Sequence, residues 1–135
     1  MENFVPTEKQ KEIIMQEINL NLAKISAVPG LMEKQQERMK KFSEDENFKN
    51  ELVAEVTNFF KKADVNNDGR LDLAEYRTFH NLGIQRKKEL YGEWPEYTED
   101  EVEASFKAYD SLSAEPGISL EDFGNSKNIY YSMKK

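Results

Sequence analysis

No cysteine occurs among the 135 residues, so disulfides, thiolate-bound zinc and thiol nucleophiles are excluded together, an absence compatible with a reducing cytosol. His80 is the sole histidine, which rules out a multi-histidine metal site. Any metal the chain holds must then sit among oxygen ligands, the preference of hard cations. No stretch approaches the roughly eighteen apolar residues of a membrane span, and residues 1–7 lack the basic-then-apolar pattern of a secretory signal. Glu2 follows Met1 and no cysteine stands near Lys135, so the acceptors for myristoylation and prenylation are missing. A cytoplasmic chain without direct membrane contact is expected. Also lacking are a nucleophile–base pair, a phosphate-cradling glycine loop and a catalytic metal constellation, so no enzyme is expected.

What is present is charge, unevenly placed. Net charge is -7, yet residues 1–42 hold six acids and seven bases, whereas residues 43–135 hold twenty acids and twelve bases. An acidic body repels phosphate backbones, which argues against nucleic acid as a partner. The length suits one compact core, alone or with an appended arm.

Apolar spacing divides the chain into helices. Thr7 with Gln10 has capping-box spacing, and Ile14, Ile18, Leu22 and Ile25 follow on one helical face up to about Ala27. Val28-Pro29-Gly30 ends that helix, and a second is predicted over 31–42. Ser43 with Glu46 repeats the capping signature and predicts the start of a third, in which Phe48, Leu52, Val56, Phe59 and Phe60 keep helical spacing to Ala63. After an acidic turn, Tyr76, Phe79 and Leu82 resume the pattern. Gly83 to Tyr97 reads as a connection carrying at most a short helix over 85–91. Thr98 with Glu101 opens a helix with Val102, Phe106 and Tyr109, and a short final helix is predicted from Leu120. An internal repeat emerges: Phe60 to Asp64 matches Phe106 to Asp110, and Leu71 to Tyr76 matches Ile118 to Phe123, the second copy carrying one extra residue.

The first interhelical loop, Asp64 to Glu75, reads D-V-N-N-D-G-R-L-D-L-A-E and satisfies every fixed position of the calcium-loop pattern. At background residue frequencies such a match arises roughly once in several thousand chains of this length. Residues from about 47 to 127 resemble the EF-hand proteins of the calmodulin superfamily, and residues 1–42 carry no such resemblance. The resemblance implies an all-α fold: a paired EF-hand domain over 43–135, one loop calcium-competent and one degenerate, with an N-terminal helical arm over 1–42. It also implies one Ca2+ per chain, bound by the side chains of Asp64, Asn66 and Asp68, the backbone carbonyl of Arg70, Asp72 directly or through a water, and both carboxylate oxygens of Glu75. Gly69 would take the positive φ of the sharp turn. Asp72 is equally suited to cap the following helix.

In the second loop, Asp110 to Asp122, Leu112 and Ala114 stand where oxygen ligands are needed and Pro116 stiffens the middle. A loop kept for pairing is the simpler reading; an unorthodox cation site from Asp110, Ser111, Ser113, Glu115 and Asp122 is the alternative. The resemblance implies a short antiparallel bridge joining the loops at Leu71 and Ile118. The stripe from Ile14 to Ile25 allows three readings: core, a target-like helix in the groove of the hand pair, or a face for another protein. Lys34, Arg38, Lys40 and Lys41, like Arg86-Lys87-Lys88, suit an acidic partner such as a tubulin-like surface, although a solvated face explains them too. His80 reads as surface or packing. The expected function is that of a small subunit or adaptor in a larger protein assembly, possible cytoskeletal association included, monomeric when isolated. A calcium sensor that binds target helices and a cytosolic calcium buffer are the alternatives.

Overall fold

The computed structural model describes residues 5–133; residues 1–4 and 134–135, the outer ends of the expected arm and body, lie outside it. The described chain is all-helical, without a strand: α1 (Glu8–Ser26), α2 (Leu31–Glu44), α3 (Glu46–Ala63), α4 (Leu73–Tyr91), α5 (Glu99–Asp110) and α6 (Leu120–Met133). None of these helices is long and apolar enough to cross a membrane.

Local chemistry sets most of the helix starts. Thr7 and Thr98 form the expected capping boxes with Gln10 and Glu101, each satisfying free amides of the first turn. Two expectations are corrected. Helix α3 is capped by Asp45 rather than Ser43: α2 continues through Glu44, Ser43 donates its hydroxyl to Lys40 O, and Asp45 accepts the Phe48 N–H at 3.1 Å. Asp45 also donates its own N–H to Lys41 O, so one residue closes one helix and opens the next. The segment expected to be a connection from Gly83 onward is instead the second half of α4, which runs unbroken to Tyr91. A lone glycine weakens a helix by only about 1 kcal/mol. Ile84 and Tyr91 recover that by packing with Ile25, Leu31 and Trp94.

The main core lies between α3, α4, α5 and α6. Phe60, Ala63, Leu71, Tyr76, Val102 and Ile118 are buried together, with Phe79, Phe106, Tyr109 and Phe123 packed against them. Phe60, Leu71, Phe79, Val102, Phe106, Ile118 and Phe123, which pairing of the two repeat copies would bring into one core, do share it. Leu71 and Ile118 exchange both backbone hydrogen bonds, at 2.8 and 2.9 Å, in the antiparallel bridge expected between the two loops.

Helix α1 packs against α5 and α6. Ile14 is fully buried with Ala108, Leu112 and Ile129, and Ile13 and Ile18 lie against them. The stripe is therefore core, supplied by the arm to the second half of the chain. Helix α2 packs on α3.

A polar seam runs through the α1 interface. The Tyr97 hydroxyl donates to Asn21 Oδ1, and Asn21 Nδ2 donates to Glu17 Oε1 at 3.0 Å. Glu17 is hydrogen-bonded to Ser105, whose Oγ lies 2.7 Å from the Tyr76 hydroxyl. Burial pushes the Glu17 carboxyl above the usual carboxylate range. His80 is half-buried beside this seam, edge-on to Tyr97 and near Tyr76.

Two outcomes follow. Ile14→Ala should lower unfolding free energy by about 2–5 kcal/mol, measured by urea denaturation; a parent-like midpoint would show that α1 is not part of the core. For His80, burial and then Lys87 lower the imidazole from 6.5 to about 4. The unfolded chain takes up a proton near pH 6.5 that the folded chain refuses until about pH 4. The stability involved is intact above the upper value and lost as pH falls toward the lower one. His80→Phe keeps a ring between Tyr76 and Tyr97 and should flatten the fall in urea midpoint between about pH 7 and pH 5. Equal falls in variant and parent would refute a neutral, buried His80.

Candidate metal centre

Helix α3 ends at Ala63, and the chain turns through nine residues before α4 begins. Two residues in left-handed conformation, Asn67 (φ 56) and Gly69 (φ 81), wind this turn tightly; glycine suits the second because it has no Cβ to clash there. The winding points short side chains inward, where they hold the loop's own amides. Asp64 accepts the N–H of Asp68 at 3.3 Å and that of Gly69 at 2.9 Å. Asn66 Oδ1 also accepts the Asp68 N–H, and Asp68 Oδ1 accepts the Arg70 N–H at 2.9 Å. The turn ends at Asp72, which caps α4 by accepting the Glu75 N–H at 2.8 Å, while Glu75 Oε1 accepts the Asp72 N–H at 3.0 Å. This reciprocal box fixes the glutamate's backbone and one carboxylate oxygen.

Asp64, Asp68 and Glu75 present oxygens that all lie within 4.8 Å of one another. Among the described residues this is the one group of three metal-competent acids. Ionised carboxylates that close repel by roughly 3 kcal/mol per pair at an effective dielectric constant of about 20. Asp64 and Glu75 are buried while Asp68 is exposed, so the group opens to solvent on one side. Glu75 is only 6% exposed, and its Oε2 is fully buried without a hydrogen-bond partner. An acceptor kept from water and from every donor is costly unless a cation meets it. The donor set is entirely oxygen, suited to a hard divalent ion and unsuited to soft metals.

The expected ligands thus divide. Asp64, Asp68 and Glu75 converge; Asn66 lies on the same turn, tied to the Asp68 amide; Asp72 lies outside the three-acid group and acts as helix cap. The Arg70 side chain was not anticipated. It crosses to the second loop, where Nη1 donates to Ser113 Oγ at 3.2 Å and to the carbonyls of Glu115 and Gly117 at 3.4 and 2.9 Å, and Nε pairs with the Glu115 carboxylate at 3.2 Å. The antiparallel pairing of Leu71 with Ile118 sets Arg70 opposite Ser119 and diagonally across from Gly117, whose backbone it meets. A Cβ at Gly117 would lie 3.0 Å from Arg70 Cβ, and its φ of +95° disfavours other residues as well.

The second loop uses its acids on itself. Asp110 Oδ1 accepts the Gly117 N–H at 2.8 Å, and Asp122 Oδ2 accepts the Ser119 N–H at 2.9 Å and the Ser113 hydroxyl at 3.2 Å. Leu112 turns away into the cluster around Ile14. The guanidinium of Arg70 is the positive charge this loop contacts.

No protein-family model, curated protein or solved structure matches this chain.

If Arg70 staples the second loop, Arg70→Ala should speed amide exchange at Gly117 and Ile118 by about tenfold or more, with Arg70→Lys intermediate. Exchange read residue by residue by NMR checks this; unchanged rates in Arg70→Ala would remove the staple.

Proposed function

We propose that the chain is a non-enzymatic calcium-binding protein built on an EF-hand pair, α3–α4 and α5–α6, that holds one Ca2+ in its first loop and serves as a small subunit or adaptor of a larger protein assembly. The observation that carries this reading is the buried, partnerless Oε2 of Glu75, whose carboxylate has an oxygen within 4.8 Å of those of Asp64 and Asp68. Bound there, the ion supplies positive charge that relieves the repulsion of the acids. Asp64, Asn66, Asp68, the Arg70 carbonyl and Glu75 are the residues that would hold it, with Asp72 contributing directly or through a water. A long glutamate that closes the shell with two oxygens favours calcium over magnesium, which demands six shorter bonds in near-octahedral order.

Three further observations support the subunit reading. The second loop's acids already accept its own N–H and O–H groups, and Arg70 lies against that loop. This favours one ion per chain. The two loops are joined through Leu71 and Ile118, so that filling one is felt by the other. Helix α1 is already packed on α5 and α6, so the face a sensor would offer to a target helix is covered in part by the chain itself.

Titration calorimetry should give one calcium per chain, with a dissociation constant in the range of roughly 0.1–10 micromolar or weaker. Glu75→Gln should weaken binding by about a hundredfold, because it replaces an ionised two-oxygen group with an amide. Two equivalent sites, or no loss in Glu75→Gln, would overturn the assignment. A dye that reports exposed apolar surface should respond little to calcium with the full chain; a large response would favour a sensor that opens a groove.

A further inference from the structure

Around Phe42 the sign of the charge reverses. The chain has 26 acids against 19 lysines and arginines, yet here cations from four helices come within electrostatic reach of one another. Lys127 of α6 lies 4.1 Å and Lys49 of α3 5.8 Å from the centre of the Phe42 ring. One turn earlier on α2, Arg38 lies 5.8 Å from the Tyr91 ring and donates through Nη1 to the Tyr91 hydroxyl at 3.1 Å. Tyr91 stacks on Trp94 at 5.7 Å, and Lys87 of α4 lies 4.7 Å from the Trp94 ring.

None of the four forms an ion pair with a described acid. The contrast on α4 is informative: Arg86 pairs with Glu55 and Lys88 with Glu96, while Lys87 between them has no acid partner. The charges that bear on Lys87 are Arg38 and Lys127, and those on Lys127 are Arg38 and Lys49. Burial together with these neighbours lowers the Lys87 ammonium to about 8. Ring faces offset part of such repulsion, but they carry no net charge. An anion would offset the rest.

We infer that Arg38, Lys49, Lys87 and Lys127, gathered on the rings of Phe42, Tyr91 and Trp94, form a binding site for a compact multivalent anion of the phosphate-monoester or pyrophosphate class. Ammonium and guanidinium groups are donors only, and several within electrostatic reach of one another suit a group whose three terminal oxygens share two charges. Separated carboxylates along a peptide would meet such cations one at a time. An extended nucleic-acid backbone would set further phosphates against the acidic body. Lys49 and Lys127 are exposed and Arg38 and Lys87 half-buried, so the cluster is reachable from one side. The inference stands independently of calcium.

The test is titration of inorganic pyrophosphate into the full chain with chelator present, since pyrophosphate itself takes up calcium. One pyrophosphate should bind with a dissociation constant below about 1 mM. Lys87→Met and Lys127→Met should each weaken it about tenfold or more, and Lys61→Met, an exposed cation elsewhere on α3, should leave it unchanged. Without the anion, Lys87→Met and Lys127→Met should raise the thermal midpoint because repulsion is removed; with it, the parent should gain and these variants should not. Parallel arms distinguish sources: a phosphoserine peptide that binds more tightly than pyrophosphate assigns the site to a modified protein. Tighter binding to phosphatidylcholine vesicles bearing phosphatidylinositol bisphosphate assigns it to a lipid headgroup. No binding of any probe below about 1 mM, or equal loss in Lys61→Met, would overturn it.

Discussion

Two backbone hydrogen bonds between Leu71 and Ile118 fix the register in which two helix–loop–helix pieces share one core. Both residues are fully buried, so the bridge lies in the core rather than at its edge, and the same two residues are hydrogen-bonded partners and apolar contacts. Around that fixed point Tyr76, Phe79, Phe106, Tyr109 and Phe123 pack ring against ring. The register also delivers Arg70 to the second loop and leaves Asp72 and Glu75 to start α4 on the other side. Moving the pairing by one residue would take the guanidinium away from its four oxygen partners and turn an apolar side chain out of the core.

Acidity and basicity then solve different problems in the two loops. In the first, acids from a tight turn and from the opening of a helix are pressed together, with one oxygen lacking a donor. In the second, Asp110 and Asp122 accept N–H or O–H groups of their own loop and Glu115 pairs with Arg70. One loop is left with unmet negative charge and the other has its needs met from within the chain. Salt screens this difference least at Asp64, Glu75 and Asp122, which are buried, and most at the exposed Asp68 and Glu115.

Much of this was legible from local spacing. The capping boxes at Thr7 and Thr98, the loop from Asp64 to Glu75, the partners Leu71 and Ile118, and the shared aromatic core all follow from residues three or four apart, or from aligning the two halves of the repeat. The misreadings have a common cause in longer-range packing. Ser43 and Asp45 both offer a hydrogen-bond acceptor of the right reach, and the continuation of α2 through Glu44 decided between them. Gly83 was taken as a stop, whereas contacts of Ile84 and Tyr91 with Ile25, Leu31 and Trp94 carry α4 past it. Arg70 was assigned a role for its carbonyl alone, because its side-chain partners lie more than forty residues away. Glu17 sits inside the apolar stripe of α1, and its partners Asn21 and Ser105 make sense only once α1 lies against α5.

Leu112 stands two residues past Asp110, as Asn66 stands two past Asp64, but it belongs to the α1 packing site. An oxygen-bearing side chain there would have to leave Ile14, Ala108 and Ile129, or else enter their apolar surroundings without a partner. An oxygen-bearing side chain at this position and a docked N-terminal helix are therefore opposing demands, and a polar substitution at Leu112 would be felt at the α1 interface before it altered the loop.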